Sequence, residues 1–417
     1  MTSPGENETT TTTDRPTGSK AKGRIRARIE AEAARLTELS HDIWEHPELA
    51  FEEQHAAEAC AKVLGNAGFS VTLGVGDLPT AFVATYGSGS LTVGICSELD
   101  ALPGIGHACG HNMIAAAGVG AGIGLTEVAD ELDLTVRVVG TPAEEGGGGK
   151  IILLERGVFD GVHFSMMVHP SPTERADFTT LATTSFEYHF SGHPAHASTA
   201  PHKGVNAADA ITVAQVAIGL LRQHLPPGDQ VHGIVVDGGD ATNIVPHRAV
   251  AKFQLRSPSI EQLRDLVPRI HACFQAGAMA TGATLDIRPT RIPYTEFDPD
   301  TTLTSLYQRN AETLGRTFAP PETGGGGSTD MANLSLLMPT IHPMLGLEAG
   351  DAVNHQVEFA NLCRTPEADR ATVEGAIAMA WTTADAALDP PTRERLLSGE
   401  TTYGGRNAYP WTMTDTG

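Results

Sequence analysis

The sequence predicts an α/β protein that has a main domain with a central mixed sheet flanked by helices and a second, α+β domain inserted into it. Two observations predict this arrangement. Helical and strand-like segments alternate through residues 25–183, and the alternation returns at residues 296–397. Between them, residues 184–295 follow another order, strand–helix–strand–strand–helix–strand. A chain of 417 residues is long enough for two or three domains with large buried cores.

The main domain is predicted to open with two helices and then to build its sheet. A helical pattern starts after about residue 24 and is ended by Pro47, and a second helical segment covers residues 52–68. Short apolar runs predict strands at residues 69–73, 80–86, 91–99 and 134–142. The last run is apolar throughout, as an inner strand is. Residues 113–132 predict a buried helix.

The inserted domain is predicted from six segments between residues 184 and 295. Strands are predicted at residues 184–192, 232–239, 247–257 and 284–292, and helices at residues 204–225 and 259–282. Pro268 is expected in or near the first half of the second helix. The order βαββαβ is the ferredoxin-like arrangement.

The ends of the chain and its cysteines predict a cytoplasmic protein. Residues 1–24 are Thr-rich and polar, without the apolar core of a signal peptide, and predict a disordered tail. Residues 398–417 predict a C-terminal surface extension. The five cysteines are widely spaced and odd in number, so no disulfide framework is expected. No apolar run approaches the ~18 residues of a membrane span.

The charge of the chain restricts its partners. Fifty acidic residues against 28 basic ones give a formal net charge of −22. Such a field repels phosphate backbones and anionic lipids, so neither nucleic acid nor a membrane surface is an expected partner. The same charge is compatible with a cationic small-molecule substrate.

The stretch GHACGHN carries the first candidate metal ligands. It places His107, Cys109 and His111 at every second position. On an extended backbone this spacing would put Cys109 and His111 on one side, where they can converge on one point. Thiolate and imidazole both bind zinc. The alternative is that the three side chains only fill a Gly-rich turn.

Further candidate ligands follow other predicted strands. Glu144 and Glu145 come after the inner strand; on extended backbone they would point in opposite directions, one to a metal and the other to the water it activates. His169 ends an apolar run, and His355 lies beyond the inserted domain. Singly, each has an ordinary alternative, a solvated acidic turn or a structural histidine. Together with Cys109 they suffice for two zinc-like ions and a general base.

Seven motifs, in order along the chain, resemble those of one family. They are SELDALPGIGHACGHN, GTPAEEGGGGK, MMVHP, GHPAHAS, TNIVP, GSTDMANLS and the segment around His355. They are similar to motifs of the co-catalytic zinc metallopeptidases, which include aminoacylases, carboxypeptidase G-type enzymes and auxin-conjugate amidohydrolases. The branch of p-aminobenzoyl-glutamate hydrolase and β-alanyl-lysine dipeptidase is the most similar. The resemblance spans about residues 25–395. It implies a zinc-peptidase-like catalytic domain and identifies residues 184–295 as a lid and dimerisation domain.

The resemblance also implies roles for the candidate residues of the main domain. Glu144 is the general base, and Asp100 orients a ligand beside the metal. One or two divalent ions are bound per subunit, with Zn²⁺ expected and Mn²⁺ or Co²⁺ as alternatives. The implied metal ligands are Cys109, His111, Glu145, His169 and His355.

In the inserted domain the resemblance implies residues that handle the substrate. His196 reaches the active site of a neighbouring subunit and polarises the scissile carbonyl, which implies a homodimer through this domain. Asn243 and Arg256 grip the substrate carboxylate, and an arginine can do so with paired hydrogen bonds.

The implied function is a metal-dependent amidohydrolase that cleaves the amide bond of a dipeptide or an N-acyl amino acid. N-carbamoyl hydrolysis uses the same chemistry on another acyl group. A catalytically silent relative that binds a small amide, or serves as a subunit of a complex, is the alternative, and the Glu144–Glu145 pair argues against it. Two residues depart from the common family pattern: Glu98 where many relatives have histidine, and Asn112 in place of an aspartate. Asn112 bears on metal affinity and on the orientation of His111.

Overall fold

The computed structural model describes residues 18–320 and 327–399. The disorder predicted for the first 17 residues lies outside the described residues, as does the predicted C-terminal extension from residue 400 onward. None of the helices in the two described ranges is long and apolar enough to cross a membrane.

Helices and strands alternate along the chain as the sequence predicts. The first part of the main domain runs through α1 (Gly18–Glu45), α2 (Gln54–Asn66), β1 (Ser70–Leu73), β2 (Phe82–Tyr86), β3 (Leu91–Glu98), α3 (His111–Leu125), β4 (Leu134–Thr141), α4 (Gly149–Glu155), β5 (Phe164–Met166) and β6 (His169–Ser171). The inserted domain contains β7 (Ala182–Ser191), α5 (Ala207–Leu221), β8 (Gln230–Asp237), β9 (Arg248–Ser257), α6 (Ile260–Thr281) and β10 (Thr284–Pro289). The main domain resumes with α7 (Thr301–Thr313), α8 (Met331–Ser335), β11 (Thr340–Ile341), β12 (Met344–Gly346), α9 (Val357–Leu362), α10 (Pro366–Leu388) and α11 (Pro390–Ser398).

Helix α1 begins inside the segment that the sequence predicts as a tail. Ala21 is fully buried, and the Lys22 Nζ donates to Asp385 Oδ2 of α10 at 2.6 Å. The Trp381 indole N–H, also on α10, donates to the Lys22 carbonyl at 2.9 Å. Residues 18–24 are therefore helical rather than disordered, because they pack against a helix far along the chain that local patterns do not reveal.

The central sheet of the main domain is mixed, as predicted. Its strand order is β1-β2-β4-β3-β5-β11, antiparallel at β1, β2 and β4 and parallel across β4, β3, β5 and β11. Strands β3 and β4 end in register, with Glu98 opposite Thr141. Because their carboxyl ends lie at one edge of the sheet, the loops that follow them meet there.

Helix α3 packs on the sheet as the predicted buried helix, although it ends at Leu125 and turns follow where the sequence predicts more helix. Every residue of α3 is buried. A Cβ on Gly118 would lie 2.3 Å from Ser97 Oγ of β3, so the helix approaches the sheet as closely as its backbone allows. This close approach carries the start of α3 to the edge where β3 and β4 end.

The inserted domain has the predicted βαββαβ order. Its sheet is antiparallel with the strand order β10-β7-β9-β8, so β8 lies at an edge. Helices α5 and α6 cover one face, and Pro268 lies within the first half of α6. The connections to the main domain lie side by side, since Thr183 and Tyr294 exchange backbone hydrogen bonds of 2.9 and 3.0 Å. The ferredoxin-like prediction is confirmed.

Candidate metal centre

The five predicted ligand side chains converge at the carboxyl edge of β3 and β4. Cys109 Sγ lies 3.5 Å from His169 Nε2 and 3.5 Å from His355 Nε2. Glu145 Oε2 lies 3.5 Å from His355 Nε2, and Glu145 Oε1 lies 3.8 Å from His111 Nε2. Loops from distant parts of the chain therefore place a thiolate, imidazoles and a carboxylate around one small volume.

These side chains form two overlapping groups that could each hold a divalent ion. Cys109 belongs to both: one group adds His111 and His169, and the other adds Glu145 and His355. Within each group the ligand atoms lie within 4.8 Å of one another. Cys109 would therefore be common to the ligand sets of the two ions.

The chemistry of these donors fits a metal. His111 Nε2 and Glu145 Oε1 are buried and have no hydrogen-bond partner. Burial lowers the pKa of His169 to about 4, so its imidazole is neutral, the form that binds metals. Buried polar atoms are ordinarily paired, and a cation coordinated by these atoms would supply the missing partner.

The backbone between Cys109 and His111 is not extended, contrary to the prediction. Gly110 has φ 80°, in the left-handed region, and immediately precedes α3. A Cβ at Gly110 would lie 2.7 Å from Pro170 Cγ, so only glycine fits this turn. The predicted convergence of Cys109 and His111 is nevertheless observed, because the turn replaces the extended spacing.

The Glu144–Glu145 pair also lies in a turn rather than on the predicted extended backbone. Ala143 has φ 58°, and its N–H donates to Glu53 Oε1 at 2.8 Å. The Glu144 and Glu145 N–H groups donate to the two oxygens of Asp100, at 3.1 and 3.0 Å. The two buried carboxylates, Glu53 and Asp100, therefore hold the turn in place.

Asp100 links this turn to His111. Its Oδ1 lies 3.2 Å from His111 Nδ1, and both side chains are fully buried. Because a carboxylate only accepts, the His111 Nδ1 carries the hydrogen and Nε2 is left as the ligand atom. The geometry supports the role predicted for Asp100.

Glu144 lies in an unusually acidic environment. Burial, and then the nearby carboxylates of Glu98 and Glu145, raise its pKa well above the ordinary value. Burial also raises the pKa of Glu98, but Lys150 and His111 outweigh it and lower that pKa to about 2. The edge thus pairs a carboxylate that keeps its charge with one that readily takes up a proton.

The candidate residues of the inserted domain lie on its surface. His196 is exposed; its Nδ1 accepts from the Ser198 and Thr199 N–H groups at 3.3 and 3.4 Å, which leaves Nε2–H free as a donor. Within the described ranges, the side-chain hydrogen bonds of His196 all stay in its own loop. Asn243 is also exposed, and its backbone carbonyl accepts from the Ala197 N–H at 3.0 Å. The structure therefore groups His196 with Asn243 and not with the metal ligands.

Arg256, unlike His196 and Asn243, is linked to the metal centre through a neighbouring residue. It is half-buried, and its guanidinium donates to Ser328 Oγ at 2.9 Å. Burial and the neighbouring Arg291 lower its pKa. Arg291 in turn donates to the Glu145 carbonyl at 2.9 Å. Arg291 thus contacts the Glu145 turn directly and neighbours Arg256. None of the sequence motifs points to Arg291.

Other functional positions were also missed. Lys150, which the sequence shows only as the end of a Gly-rich motif, is fully buried and paired with Glu98 and Asp330. Tyr294 donates from its hydroxyl to the Glu144 carbonyl at 2.7 Å. A further buried side chain, His342, stacks on His169 with ring centroids 5.3 Å apart. Only Glu98 gave a signal for Lys150 in the sequence. A carboxylate at the end of an apolar strand is expected to be buried, and a buried carboxylate requires a cationic partner.

A second group of potential ligands lies on the surface. Asp42 of α1, His46 just after that helix and His55 of α2 bring ligand atoms within 4.8 Å of one another. His55 Nε2 lies 2.8 Å from Asp42 Oδ2, and all three side chains are at least two-fifths exposed. Any measurement of metal content has to separate this group from the buried centre.

Comparison with known proteins identifies similar sequences. Residues 182–281 match the family model of the M20 peptidase dimerisation domain. The chain is 37% identical to the Xaa-Arg dipeptidase of Mus musculus, over 88% of this chain and 89% of that protein. It is 35% identical to the Xaa-Arg dipeptidase of Homo sapiens, over 87% of this chain and 88% of that protein. It is also 34% identical to one of the p-aminobenzoyl-glutamate hydrolase polypeptides of Escherichia coli strain K12, over 62% of this chain and 58% of that protein.

The fold is also similar to solved structures. The structure of a dinuclear metal-binding peptidase of the M20 family from Bacillus subtilis superposes with a TM-score of 0.66 and 22% identity. The match covers 85% of this chain and 98% of that chain. It supports the two-domain fold and the inserted position of the dimerisation domain.

Proposed function

Because this chain belongs to the M20 family of peptidases and amidohydrolases, we propose that it is a metal-dependent enzyme that hydrolyses dipeptides with a basic C-terminal residue. The observation that carries the metal-dependent part is the convergence of five ligand side chains, two with unpartnered buried atoms, beside Glu144. Zn²⁺ is the expected metal, with Mn²⁺ and Co²⁺ as alternatives.

The residues around the centre divide the chemical work. A divalent ion held by the five ligands would supply Lewis-acid activation of water and of the amide carbonyl. Glu144 accepts a proton from the attacking water and delivers it to the leaving amine, a role that suits its raised pKa. Asp100 holds Glu144, Glu145 and His111 in one arrangement through hydrogen bonds to each.

The carbonyl oxygen of the substrate would gain from a hydrogen-bond donor in addition to the metal, and His196 of a second subunit is our candidate. His196 presents a free Nε2–H on an exposed loop, and in a dimer this donor would stabilise the oxyanion at the partner's centre. The inserted domain offers a surface for such a dimer: the edge strand β8 exposes Ile234 and Val236, and α5 exposes Leu220. Exposed apolar residues beside an unpaired strand edge are typical of association sites.

The substrate assignment rests on two features. Arg256 and Asn243 supply donors for a free C-terminal carboxylate. The name of the mouse relative, an Xaa-Arg dipeptidase, and the net charge of −22 favour a cationic residue at the C-terminal side of the cleaved bond.

The proposal is tested by hydrolysis assays on purified protein. The substrates are Xaa-Arg and Xaa-Lys dipeptides, neutral dipeptides, N-acyl and N-carbamoyl amino acids and p-aminobenzoyl-glutamate. Each is assayed after chelation and after Zn²⁺, Mn²⁺ or Co²⁺ is added back. Activity that returns with metal and favours basic dipeptides is expected. Bound metal without hydrolysis of any substrate would favour the catalytically silent alternative.

Glu144→Ala tests the base. We expect the fold and metal content to be kept while kcat falls at least ~100-fold, the scale of general-base catalysis. Cys109→Ala is the contrasting variant, because it should lower the metal content itself. Near-normal turnover by Glu144→Ala would remove Glu144 from this role, and a full metal complement in Cys109→Ala would remove Cys109 from the ligand set.

A further inference from the structure

Behind the five ligands lies a buried ionic group formed by Glu98, Lys150 and Asp330, here called the β3 ion group. We propose that Glu98 is a sixth ligand of the metal centre, and that Lys150 and Asp330 are positioning residues that aim its carboxylate at the ion held by His111. The inference rests on the metal centre of the proposed function. It assigns to that centre an oxygen donor from a residue that the resemblance leaves without a role.

The β3 ion group is rigidly built. All three side chains are fully buried. The Lys150 Nζ donates to Glu98 Oε1 at 2.6 Å and to Asp330 Oδ1 at 2.6 Å. The other Asp330 oxygen accepts from the Lys150 backbone N–H at 2.9 Å. These bonds occupy one oxygen of Glu98 and fix the direction of the other.

The second oxygen of Glu98 faces the metal centre without a partner. Glu98 Oε2 is buried and unpaired, and lies 3.3 Å from His111 Nε2, which is also buried and unpaired. Glu98, His111 and Glu144 bring ligand atoms within 4.8 Å of one another. Glu98, which is not among the five predicted ligands, is therefore close enough to His111 to bind the same ion.

The hydrogen bonding of His111 makes this contact informative. Its Nδ1 lies against Asp100 Oδ1, which can only accept, so Nδ1 carries the hydrogen. In a neutral imidazole, Nε2 then presents a lone pair to the lone pairs of Glu98 Oε2. Two lone pairs at 3.3 Å in a buried site repel each other unless a cation or a second proton lies between them.

Charge balance favours the cation. The β3 ion group has two carboxylates against one ammonium, and the Glu145 carboxylate lies 3.8 Å from His111 Nε2. Unbalanced buried charge is strongly unfavourable. A divalent cation between Glu98 and His111 would offset this charge and satisfy both orphaned atoms.

The sixth ligand gives the half of the centre that contains His111 a carboxylate of its own, as Glu145 does for the half that contains His355. Carboxylate oxygens suit harder cations such as Mn²⁺, whereas a thiolate suits zinc. We therefore expect Glu98 to strengthen the binding of Mn²⁺ in the half that contains His111. The chemical class of the ligand is a divalent first-row cation.

The test counts and titrates metal in variants of the whole chain. All proteins carry His46→Ala and His55→Ala to remove the surface group. Glu98→Gln keeps the shape of the side chain and neutralises its carboxylate; Lys150→Met removes the positioning ammonium. The matched control is Glu174→Gln, because Glu174 is also a buried carboxylate paired with a cation, Arg316, and also has one unpartnered oxygen. Mn²⁺ and Zn²⁺ content is measured by elemental analysis and affinity by calorimetry, with Mn²⁺ electron paramagnetic resonance as the spectroscopic readout.

We expect Glu98→Gln to lose one Mn²⁺, or to bind it at least ~10-fold more weakly, with an altered Mn²⁺ spectrum, while Glu174→Gln matches the parent. Lys150→Met should weaken the same ion; if it does not fold, Asp330→Asn takes its place. Unchanged stoichiometry, affinity and spectrum in Glu98→Gln would overturn the inference and make the β3 ion group a structural ion network. If the parent protein binds no divalent ion, the proposed function itself fails, so the two failures are distinguishable.

Discussion

The two domains hold their functional side chains in opposite ways. In the main domain, Asp100 and His111 are fully buried and fixed by hydrogen bonds. In the inserted domain, His196 and Asn243 are exposed, and the side-chain bonds of His196 stay within its own loop. This difference is what the proposed dimer requires: the main domain holds its groups by itself, and the inserted domain presents its groups on the surface.

The cores of the two domains show the same contrast. The inserted domain packs aromatic residues, with the Tyr188 and Phe274 rings stacked at 3.5 Å between centroids. The core of the main domain instead encloses the β3 ion group at the end of its sheet. One core only has to hold a fold, and the other also has to hold charge next to the candidate metal centre.

The largest fall in kcat among these variants is expected from His196→Ala, because it removes the hydrogen-bond donor that we propose the inserted domain supplies to the substrate carbonyl. Loss of one oxyanion donor costs about 10²–10³ in kcat. If His196 acts on the partner's centre, co-expressing His196→Ala with Glu144→Ala should restore activity in the mixed dimers. Random pairing makes half of the dimers mixed with one intact site each, so about a quarter of all sites become active. Two differently tagged chains and kcat measurements on the purified mixed dimers provide the test.

The control is His193→Ala, which removes an exposed histidine from the same loop and should leave kcat near that of the parent. If His196→Ala is inactive and the mixed dimers stay inactive as well, His196 acts within its own subunit. The contrast between a complete and an incomplete domain would then be wrong.

A slightly smaller fall in kcat, caused by loss of the dimer, is expected from Ile234→Glu on the edge strand β8. Ile234 is 63% exposed and lies opposite Lys252, so a glutamate there is compatible with the fold but places charge on the apolar edge. Sedimentation should show a shift from dimer to monomer, and kcat should fall only as far as the dimer is lost. Met279→Glu on α6 is the control, since Met279 is 86% exposed on another element. A fully dimeric Ile234→Glu protein would place the dimer interface elsewhere.

Arg256→Ala should have an intermediate effect that depends on the substrate. A charge-assisted hydrogen bond contributes about 1.5–3 kcal/mol, so kcat/KM for a dipeptide with a free carboxylate should fall by roughly 10–100-fold. The same dipeptide with a C-terminal amide should lose little, because the group that Arg256 grips is absent. Arg248→Ala on the same strand, where an exposed arginine pairs with Asp237 at 2.6 Å, is the control. Equal losses on both substrates would assign Arg256 a structural role.

The smallest effect is expected on stability, from Glu53→Gln. Burial, with a contribution from Asp100, raises the pKa of Glu53 from 4.5 to about 7. A raised carboxyl pKa favours the protonated folded state, so the free energy of unfolding should decline as pH rises from 4.5 to about 7. Glu53→Gln cannot ionise, and its Tm should decline less over this range in chelated protein, by a few degrees at about 2–4 °C per kcal/mol.

Glu187→Gln provides the comparison in the inserted domain. Glu187 pairs with Lys252 at 2.8 Å near the surface, where such pairs contribute little to stability. Its pH profile should follow that of the parent. A steeper decline in Glu53→Gln than in the parent would show that the Glu53 carboxylate stabilises the Glu144 turn in its charged form.

The sequence predicted the features that its motifs carry, including ligands from distant segments, and failed for local backbone geometry and for contacts that no motif marks. The convergence of Cys109 and His111 was predicted, but not the left-handed Gly110 that produces it, because an extended backbone offered the same spacing. Lys150 was given no role, since a lysine at the start of a helix is ordinarily solvated. Its burial depends on Asp330, 180 residues away in the chain, which no local pattern reveals.

The hydrogen bonds of Arg291 and Tyr294 have a mechanical consequence. These residues belong to the segment that returns from the inserted domain, and they donate to the carbonyls of Glu145 and Glu144. Tyr294 is also paired with Thr183 on the outgoing strand. A rotation of the inserted domain about these two connections would therefore displace the peptide groups of the proposed base, Glu144, and of the proposed ligand, Glu145. Closure over a substrate would be transmitted to the reacting groups through two hydrogen bonds, without any change in the sheet beneath them.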